Sequence, residues 1–573
     1  MAELQSISKP EAVKQQSRQL RGRLGRDLAD VDVPFDKEGY SLLKFHGIYQ
    51  GYDRDSATEL KQRGDSKRYQ MMVRVRIPGG RLTAAQYLAL DEIAERHANA
   101  SLRVTTRQSI QFHGVVKPGL KAAMGEINKA LLTTMSACGD VVRTVTTAPA
   151  PIRDAVYDRL EADARLLGSA MLPTSGAYHE IWVGGEKWSE DQGKDEKPDP
   201  LYGDRYLPRK FKIGVAVPED NTIDVLTNDL GIVALWENGR LAGYNFFLGG
   251  SHGMTHNNPA TYPRQASAVC FVEPEDLVPA AKAVVGLHRD FGDRVNRRHA
   301  RLKYVVAERG EEWARAELSS VLGKALAPVR PMAPFEVPDH LGWHEQGDGK
   351  FYLGIPIPSG RIVDGAGAKL RTALREIVSR FGCDPILMPS QDIILSEVGR
   401  EDRDAITAIL RSHHVDLAED LLPAERWALA CPALPTCGLA LTEAERVRDE
   451  IVGGIAARLR RWGLERERLS IRITGCPNGC ARPYTGDIGI VGRIPGFYSI
   501  YVGGDFEGTR LNEEVANRVR LGEVAEVLDP LFELFAAERR AGEGFGDFCH
   551  RAGIERLRDI AAASRGGPRE AAD

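Results

Sequence analysis

Four cysteines, set as Cys431-x5-Cys437 and Cys476-x3-Cys480, carry the clearest chemistry in the sequence, and each pair opens with Cys-Pro. A thiolate is a soft ligand, and four converging thiolates are what an iron–sulfur cluster requires. Zinc is the rival, although its sites favour Cys pairs with two to four intervening residues, often completed by His. Coincidence is the bland alternative. The second pair lies in Ile473-Thr474-Gly475-Cys476-Pro477-Asn478-Gly479-Cys480. Pro, Asn and Gly disfavour a helix here and fold the backbone tightly around two thiols. Backbone N–H groups are thereby left free to face cluster sulfurs.

Cations at strand spacing form a second feature. Arg74 and Arg76 alternate with Val73, Val75 and Ile77, which on a strand places both guanidinium groups on one face. Lys210 and Lys212 project together in Leu207-Pro208-Arg209-Lys210-Phe211-Lys212-Ile213. Arg103 and Arg107 lie in Leu102-Arg103-Val104-Thr105-Thr106-Arg107-Gln108, and Arg143 follows Asp140-Val141-Val142. A solvated charged face explains any one of these. Together, beside apolar strands, they fit a site for a polyanion or a small oxyanion. A buried cation without a partner costs several kcal/mol, so clustered inward cations imply bound negative charge.

The elements that must position these groups are duplicated. Met71-Met72-Val73-Arg74-Val75-Arg76-Ile77-Pro78-Gly79-Gly80-Arg81-Leu82 is echoed by Phe351-Tyr352-Leu353-Gly354-Ile355-Pro356-Ile357-Pro358-Ser359-Gly360-Arg361-Ile362. Each is a strand, a tight turn, then Arg and an apolar residue ahead of a predicted helix. A second echo pairs Gly231 through Gly250 with Gly489 through Gly504, hairpins that both end in an apolar strand and Gly-Gly. The copies stand roughly 260–280 residues apart, too far for a solenoid repeat. Recurrent Pro-Gly hairpins are the plain explanation; an internally duplicated α+β protein with two-fold pseudosymmetry and a central crevice is the better one. Thr442-Glu443-Ala444-Glu445 reads as a capping box opening an amphipathic helix through Val447, Ile451, Ile455 and Leu459 to about Trp462. Residues 186–200 form a charged loop.

At 573 residues there is room for about three or four domains of the usual ~100–200 residues. Hydrophobic content of 43% and charged content of 27% describe an ordinary globular chain, and a net charge of −4 gives no global attraction to nucleic acid or an anionic membrane. No apolar run reaches the ~18 residues of a membrane-spanning helix. Met1-Ala2-Glu3-Leu4-Gln5-Ser6 lacks the apolar core of a secretion signal. Eight cysteines in a chain of this size are not a disulfide scaffold, so free thiols and a cytoplasmic location are expected. A zinc-stabilised anion- or RNA-binding protein would leave the duplication unexplained, and the acidic balance weakens its RNA version.

The combination resembles the siroheme-containing sulfite and nitrite reductases, most closely their assimilatory NADPH-dependent hemoprotein branch. The likeness runs from Leu20-Arg21-Gly22 and Phe45-His46-Gly47-Ile48-Tyr49-Gln50 to Gly542-Glu543-Gly544-Phe545-Gly546-Asp547-Phe548, and Thr474-Gly475-Cys476-Pro477-Asn478-Gly479-Cys480 is its most specific stretch. It implies an α+β, internally duplicated, pseudo-two-fold fold with three lobes around a central cofactor crevice. It also implies a [4Fe–4S] cluster on Cys431, Cys437, Cys476 and Cys480, with Cys480 bridging to siroheme. Siroheme bears eight carboxylates, and Arg107 matches a position that binds it. Arg76, Arg143, Lys210 and Lys212 are implied to surround the anion, and Asn478 to lie near the site. The implied segments are 1–66, an extended partner-docking arm; 67–136, a ferredoxin-like half-domain; 137–335, a siroheme-binding repeat with the anion-binding cations; 336–416, a second ferredoxin-like half-domain; 417–563, the repeat carrying the cluster cysteines; and 564–573, a disordered tail. Cys138, Cys270, Cys383 and Cys549 match no ligand position, and His46 and His113 read as core histidines.

The implied reaction is the six-electron reduction of sulfite to sulfide, serving sulfur assimilation and cysteine biosynthesis. Nitrite is the alternative substrate. Lys212 stands where the nitrite enzymes carry Asn, and an extra cation favours sulfite, which can be doubly charged. Gly365-Ala366-Gly367 lacks the third glycine of a dinucleotide fingerprint, so electrons come from elsewhere. The N-terminal likeness points to an NADPH-dependent diflavin reductase; ferredoxin is the alternative, and Cys480-Ala481-Arg482-Pro483-Tyr484 reads more like the ferredoxin type.

Overall fold

Val73, Val75 and Ile77 are buried to within 2% exposure, and around this apolar alternation the first sheet is built. In the computed structural model, which describes residues 7–175, 177, 181–183, 186–188 and 197–565, that sheet runs in the order Ile48–Tyr52, Tyr69–Arg74, Ile110–Val115, Leu102–Val104, Arg361–Ile362. A second sheet repeats its first four places with Gly342–Glu345, Phe351–Ile355, Ile393–Val398 and Asp384–Leu387. Both are antiparallel throughout, and both echoed turns lead on to helices, Ala84–His97 and Leu370–Phe381.

The two half-sheets exchange their turn segments. Arg361 pairs with Arg103 of the first sheet, while Arg81 bridges Ile386 of the second and Leu82 N–H donates to Pro385 O at 2.9 Å. The crossing backbones come very close. A Cβ on Gly80 (φ +76°) would stand 2.5 Å from Leu387 O, and one on Gly360 (φ +72°) 2.2 Å from Val104 O. Glycine is required at both places by contact and by conformation.

The second duplication is equally plain. Thr146–Thr147, Ile213–Ala216 and Leu230–Glu237 run parallel, followed by antiparallel Arg240–Leu248 and Ser267–Val272. Ala428–Ala430, Ile471–Thr474 and Ile488–Ile494 run parallel, followed by antiparallel Phe497–Val502 and Glu513–Arg520. Parallel neighbours need a crossover, supplied by helix Ala155–Ala170 in one copy and Arg448–Arg461 in the other; helices Leu277–Phe291 and Val524–Glu538 complete them. The joined half-sheets and the two mixed sheets make the three lobes. Among the described residues no helix is long and apolar enough to cross a membrane.

Three local expectations change. Within the expected arm 1–66, the described residues 7–66 are not extended: Leu20, Phe35, Leu43 and Phe45 are buried, Lys9–Gln15 is helical, and Ile48–Tyr52 is an edge strand of the first sheet. Buried Lys14 and Glu11 pair with each other, and Glu11 also pairs with Arg294. Thr442 does not cap a helix; its Oγ1 accepts from Gly496 N–H at 3.0 Å, and the helix starts at Arg448. Residues 186–188 of the expected charged loop pair with 181–183 as a hairpin, and residues 189–196 lie outside the described residues. Of the expected disordered tail, only Ser564 and Arg565 are described.

Candidate active site

Cys431 follows directly on strand Ala428–Ala430, and Cys476 stands two residues beyond its parallel neighbour Ile471–Thr474. Their loops brace each other. Cys431 N–H donates to Ile473 O at 3.1 Å, and the N–H groups of Leu441 and Thr442 both donate to Gly475 O, at 2.8 and 3.1 Å. A Cβ on Gly475 would lie 2.5 Å from Thr442 O and 2.6 Å from Ala433 Cβ, so any side chain there would force the loops apart.

The four thiols interact electrostatically. Burial, then Cys480, with smaller pushes from Cys476 and Cys437, drives Cys431 well above an ordinary thiol. Burial and Cys480 raise Cys437, and burial, Cys480 and Cys437 push Cys476 up to about 12. Negative thiolates at Cys431, Cys437 and Cys476 would therefore be unstable here without a positive centre. Donors for them are in place: Gly475 N–H reaches Cys431 Sγ at 3.3 Å, and Asn478 Nδ2 reaches Cys476 Sγ at 3.5 Å. Among the described residues no three His, Cys, Asp or Glu groups gather closely enough for a single metal ion.

Cys480 is the exposed member of the four, and Lys212 lies within its electrostatic reach. Thr106 Oγ1 donates to Cys480 O at 3.2 Å, which sets Arg107 beside it. Lys212 lies within electrostatic reach of Arg107 and Cys480, Lys210 of Arg143 and Lys212, and Arg107 of Arg143 and Arg74. Lys210 and Lys212 are half-buried. Among the described residues no hydrogen bond or ion pair reaches either ammonium; the bond from Lys212 to Asp229 Oδ2, at 2.8 Å, uses its backbone N–H. Burial, reinforced by the neighbouring cations, lowers Lys210 well below the lysine range and Lys212 to about 7.

Two aspartates hold the outer cations. Asp229 accepts from Arg301 Nε at 3.1 Å and Nη2 at 2.8 Å. Asp140 accepts from Arg297 at 2.8 and 3.0 Å. Arg143 Nη2 donates to Tyr49 OH and Gly139 O, both at 3.3 Å. Arg107 donates to Asn228 Oδ1 at 2.9 Å, Ile213 O at 3.0 Å and Thr144 O, leaving its buried Nε without a partner.

Arg76 does not join this set. The strand ends at Arg74, a register shift sits between Met71 and Val73, and Arg76 bridges Thr133 instead. Its buried guanidinium donates to Ser136 O at 3.4 Å, Val142 O at 3.1 Å and Gly168 O at 2.6 Å. Arg74 instead lies within electrostatic reach of Arg107, its Nη1 donating to Cys138 Sγ at 3.1 Å. Period-two spacing put both on one face and could not choose between them. Arg103 is also spent elsewhere, on Ala430 O at 2.8 Å and on Glu445, which Arg361 grips as well. Sequence reading missed Asp140, Asp229 and Arg301; only the proximity of Asp140 to Arg143 offered a signal. His46 is a core histidine, its Nε2 3.2 Å from Leu20 O.

Four thiols beside cations left without partners among the described residues fit a thiolate-bound cluster next to a site for anionic groups. The chain belongs to the nitrite and sulphite reductase family. The family's 4Fe-4S domain matches twice, at residues 162–326 and 425–565, and its ferredoxin-like half domain twice, at 63–130 and 344–413. Membership assigns a [4Fe–4S] cluster and siroheme as cofactors. Relatives at high identity are sulfite reductases: "Sulfite reductase [ferredoxin]" of Synechococcus elongatus, 44% identical over 97% of this chain and 91% of that one, and "Sulfite reductase [NADPH] hemoprotein beta-component" of Myxococcus xanthus, 46% identical over 96% and 97%. The solved structure of Mycobacterium tuberculosis NirA protein shares the fold, with TM-score 0.79 and 22% identity, covering 97% of this chain and 98% of that one.

Proposed function

We propose that the chain is the catalytic hemoprotein of an assimilatory sulfite reductase, reducing sulfite to sulfide. The observation that carries this reading is the pair of ammonium groups, Lys210 and Lys212, that no hydrogen bond or ion pair among the described residues engages, with Cys480 within electrostatic reach of Lys212. Cys431, Cys437, Cys476 and Cys480 would hold the cluster, Cys480 would also meet siroheme, and Arg107 and its neighbours would meet siroheme's carboxylates. When bound, these cofactors supply six electrons, one at a time, at an iron that can take the substrate.

The chain's own residues then do three things. Arg74, Arg143, Lys210 and Lys212 offset the charge of the anion and fix its oxygens in a low-dielectric cavity, where such contacts are strongest. Lys212 Nζ, brought to about 7 by burial and Arg107, can give and regain a proton at neutral pH. Each of the three oxygens that leaves as water consumes two protons, so a rechargeable donor has continuous use. Asp229 and Asp140 hold Arg301 and Arg297, so that neither guanidinium competes for the anion.

Electrons arrive from a separate diflavin reductase, with NADPH as their source, the source that the name of the Myxococcus relative gives for that protein. A ferredoxin donor is the second reading, favoured by the Synechococcus relative. All eight cysteines are free thiols, the state a reducing cytoplasm maintains. The test is sulfite-dependent sulfide formation by the purified chain, driven in parallel by NADPH plus a diflavin reductase and by reduced ferredoxin. The expected result is turnover with the flavoprotein. Turnover only with ferredoxin would replace the donor and keep the site; no sulfide with either would overturn the reading.

A further inference from the structure

Lys210 has no partner for its ammonium among the described residues, and its neighbours repel it: Arg143, Arg301, Lys212 and Arg209 all lie within electrostatic reach. Repulsion of this kind is strongest where water is scarce. A side chain so placed cannot hold its own position, and the backbone must hold it instead.

The segment leading to Lys210 is clamped through its carbonyls, four consecutive oxygens each meeting a different side chain. Arg294 Nη2 donates to Tyr206 O at 2.8 Å, Lys14 Nζ to Leu207 O at 2.6 Å and Arg297 Nη1 to Pro208 O at 3.2 Å. His288 Nε2 stands 3.2 Å from Arg209 O. A carbonyl can only accept, so Nε2 carries the proton of that ring. The same ring packs on Phe211, centroids 5.7 Å apart, between the two lysines. Tyr206 is held in the left-handed region (φ +55°) and stacks on Tyr202, centroids 5.5 Å apart.

The charges of the clamp are matched among themselves. Asp140 takes Arg297 at 2.8 Å and Lys14 at 3.5 Å, while Glu11 takes Lys14 and Arg294. Lys14 and Glu11 come from helix Lys9–Gln15 and His288 from helix Leu277–Phe291, so elements from opposite ends of the first half of the chain converge on one short segment. Buried ion pairs are a costly way to attach a helix where apolar contact would do. The duplication shows that the scaffold itself does not need them. Residues 464–467 stand equally far ahead of the matching strand Ile471–Thr474, and no described side chain donates to their carbonyls. The clamp belongs to the copy that carries the lysines.

We propose that Lys14 and His288 are positioning residues for Lys210: each fixes a carbonyl in the segment that leads to it, and together they keep its ammonium in place for the anion. This rests on the sulfite reading above. The test compares wild-type holoprotein with Lys14→Met, His288→Leu and His288→Gln, reading kcat and KM for sulfite, siroheme and iron per chain, and amide hydrogen exchange across residues 206–212. Lys14→Met leaves Glu11 with Arg294 and Asp140 with Arg297, so no charge is orphaned. It should raise KM about fivefold to tenfold, the scale of one lost charged hydrogen bond, with kcat within about twofold and cofactor content unchanged. Exchange across 206–212 should quicken about tenfold. His288→Leu, which loses a neutral bond, should raise KM about threefold, and His288→Gln, whose amide can reach the same carbonyl, should restore the wild-type value. Wild-type KM in Lys14→Met would overturn the inference, even with stability lowered, because a merely structural clamp moves stability alone. A fall in kcat at unchanged KM would overturn it as well. If Lys14→Met does not fold, His288→Leu carries the same comparison. A wild-type protein that forms no sulfide would sink the proposed function instead, and the exchange rates would then decide the positioning: faster in the variants supports it, unchanged overturns it.

Discussion

The two mixed sheets share one topology and carry opposite chemistry. In the first, Arg143, Lys210 and Lys212 all precede the parallel strands Thr146–Thr147 and Ile213–Ala216. In the second, Cys431 and Cys476 both follow their strands, Ala428–Ala430 and Ile471–Thr474. Cations thus occupy strand beginnings in one copy and thiols strand ends in the other. Duplication supplied one rigid frame twice, and its two copies diverged toward opposite sides of a shared crevice. The half-sheets teach the complementary lesson: there the copies stayed alike and became interlocked.

The deepest break in this division of labour is Cys480→Ser, the point where the copies meet. It should abolish sulfite turnover and lose or uncouple both cofactors; visible absorbance of siroheme and the reduced-cluster resonance are the checks, and intact signatures would remove the bridging role. Next, Lys212→Asn should lower the ratio of sulfite to nitrite turnover by about tenfold, the scale of one cation–anion contact of ~1.4 kcal/mol. An unchanged ratio would remove the charge argument for sulfite.

A paired substitution sharpens the assignment of the cations. Arg74→Gln should raise the KM for sulfite several-fold at near-normal stability. Arg76→Gln should leave that KM alone and lower the denaturation midpoint, because three carbonyls lose a charged donor and cost about 3 kcal/mol together. Reversed outcomes would restore Arg76 to the site.

A further test concerns pH. Burial raises Asp392 to about 7, against smaller lowering by its hydrogen bonds, one of them from Ile357 N–H at 2.8 Å. A carboxyl whose folded value exceeds its unfolded one, ~3.9, stabilises fully below the unfolded value and loses that contribution as pH rises to about 7. Asp392→Asn should flatten the stability profile between about pH 4 and 7 in a urea titration series. A profile identical to the wild type would show that the group does not titrate there.

Much of this was legible because it is local. The paired cysteines stand in short loops after strands, and the echoed Pro-Gly turns announce the duplication through backbone conformations few residues adopt. The choice between Arg74 and Arg76 was not legible, since one register shift and the end of a strand decide it. Nor was the partner of Glu445: a capping-box pattern suggested its own helix, whereas Arg103 and Arg361, distant in sequence, claim it. The helical packing of the N-terminal segment was hidden for the same reason, because Glu11 finds Arg294 only once the chain has folded.

The exchange of turn segments between half-sheets has a consequence for synthesis. Strand Leu102–Val104 completes its outer edge only with Arg361–Ile362, so that edge stays unpaired until the second copy emerges. At roughly 5–20 residues per second that interval is on the order of 10–50 seconds, during which the nascent chain exposes a template for mispairing. A gene divided between the copies would prolong that exposure until the two products met.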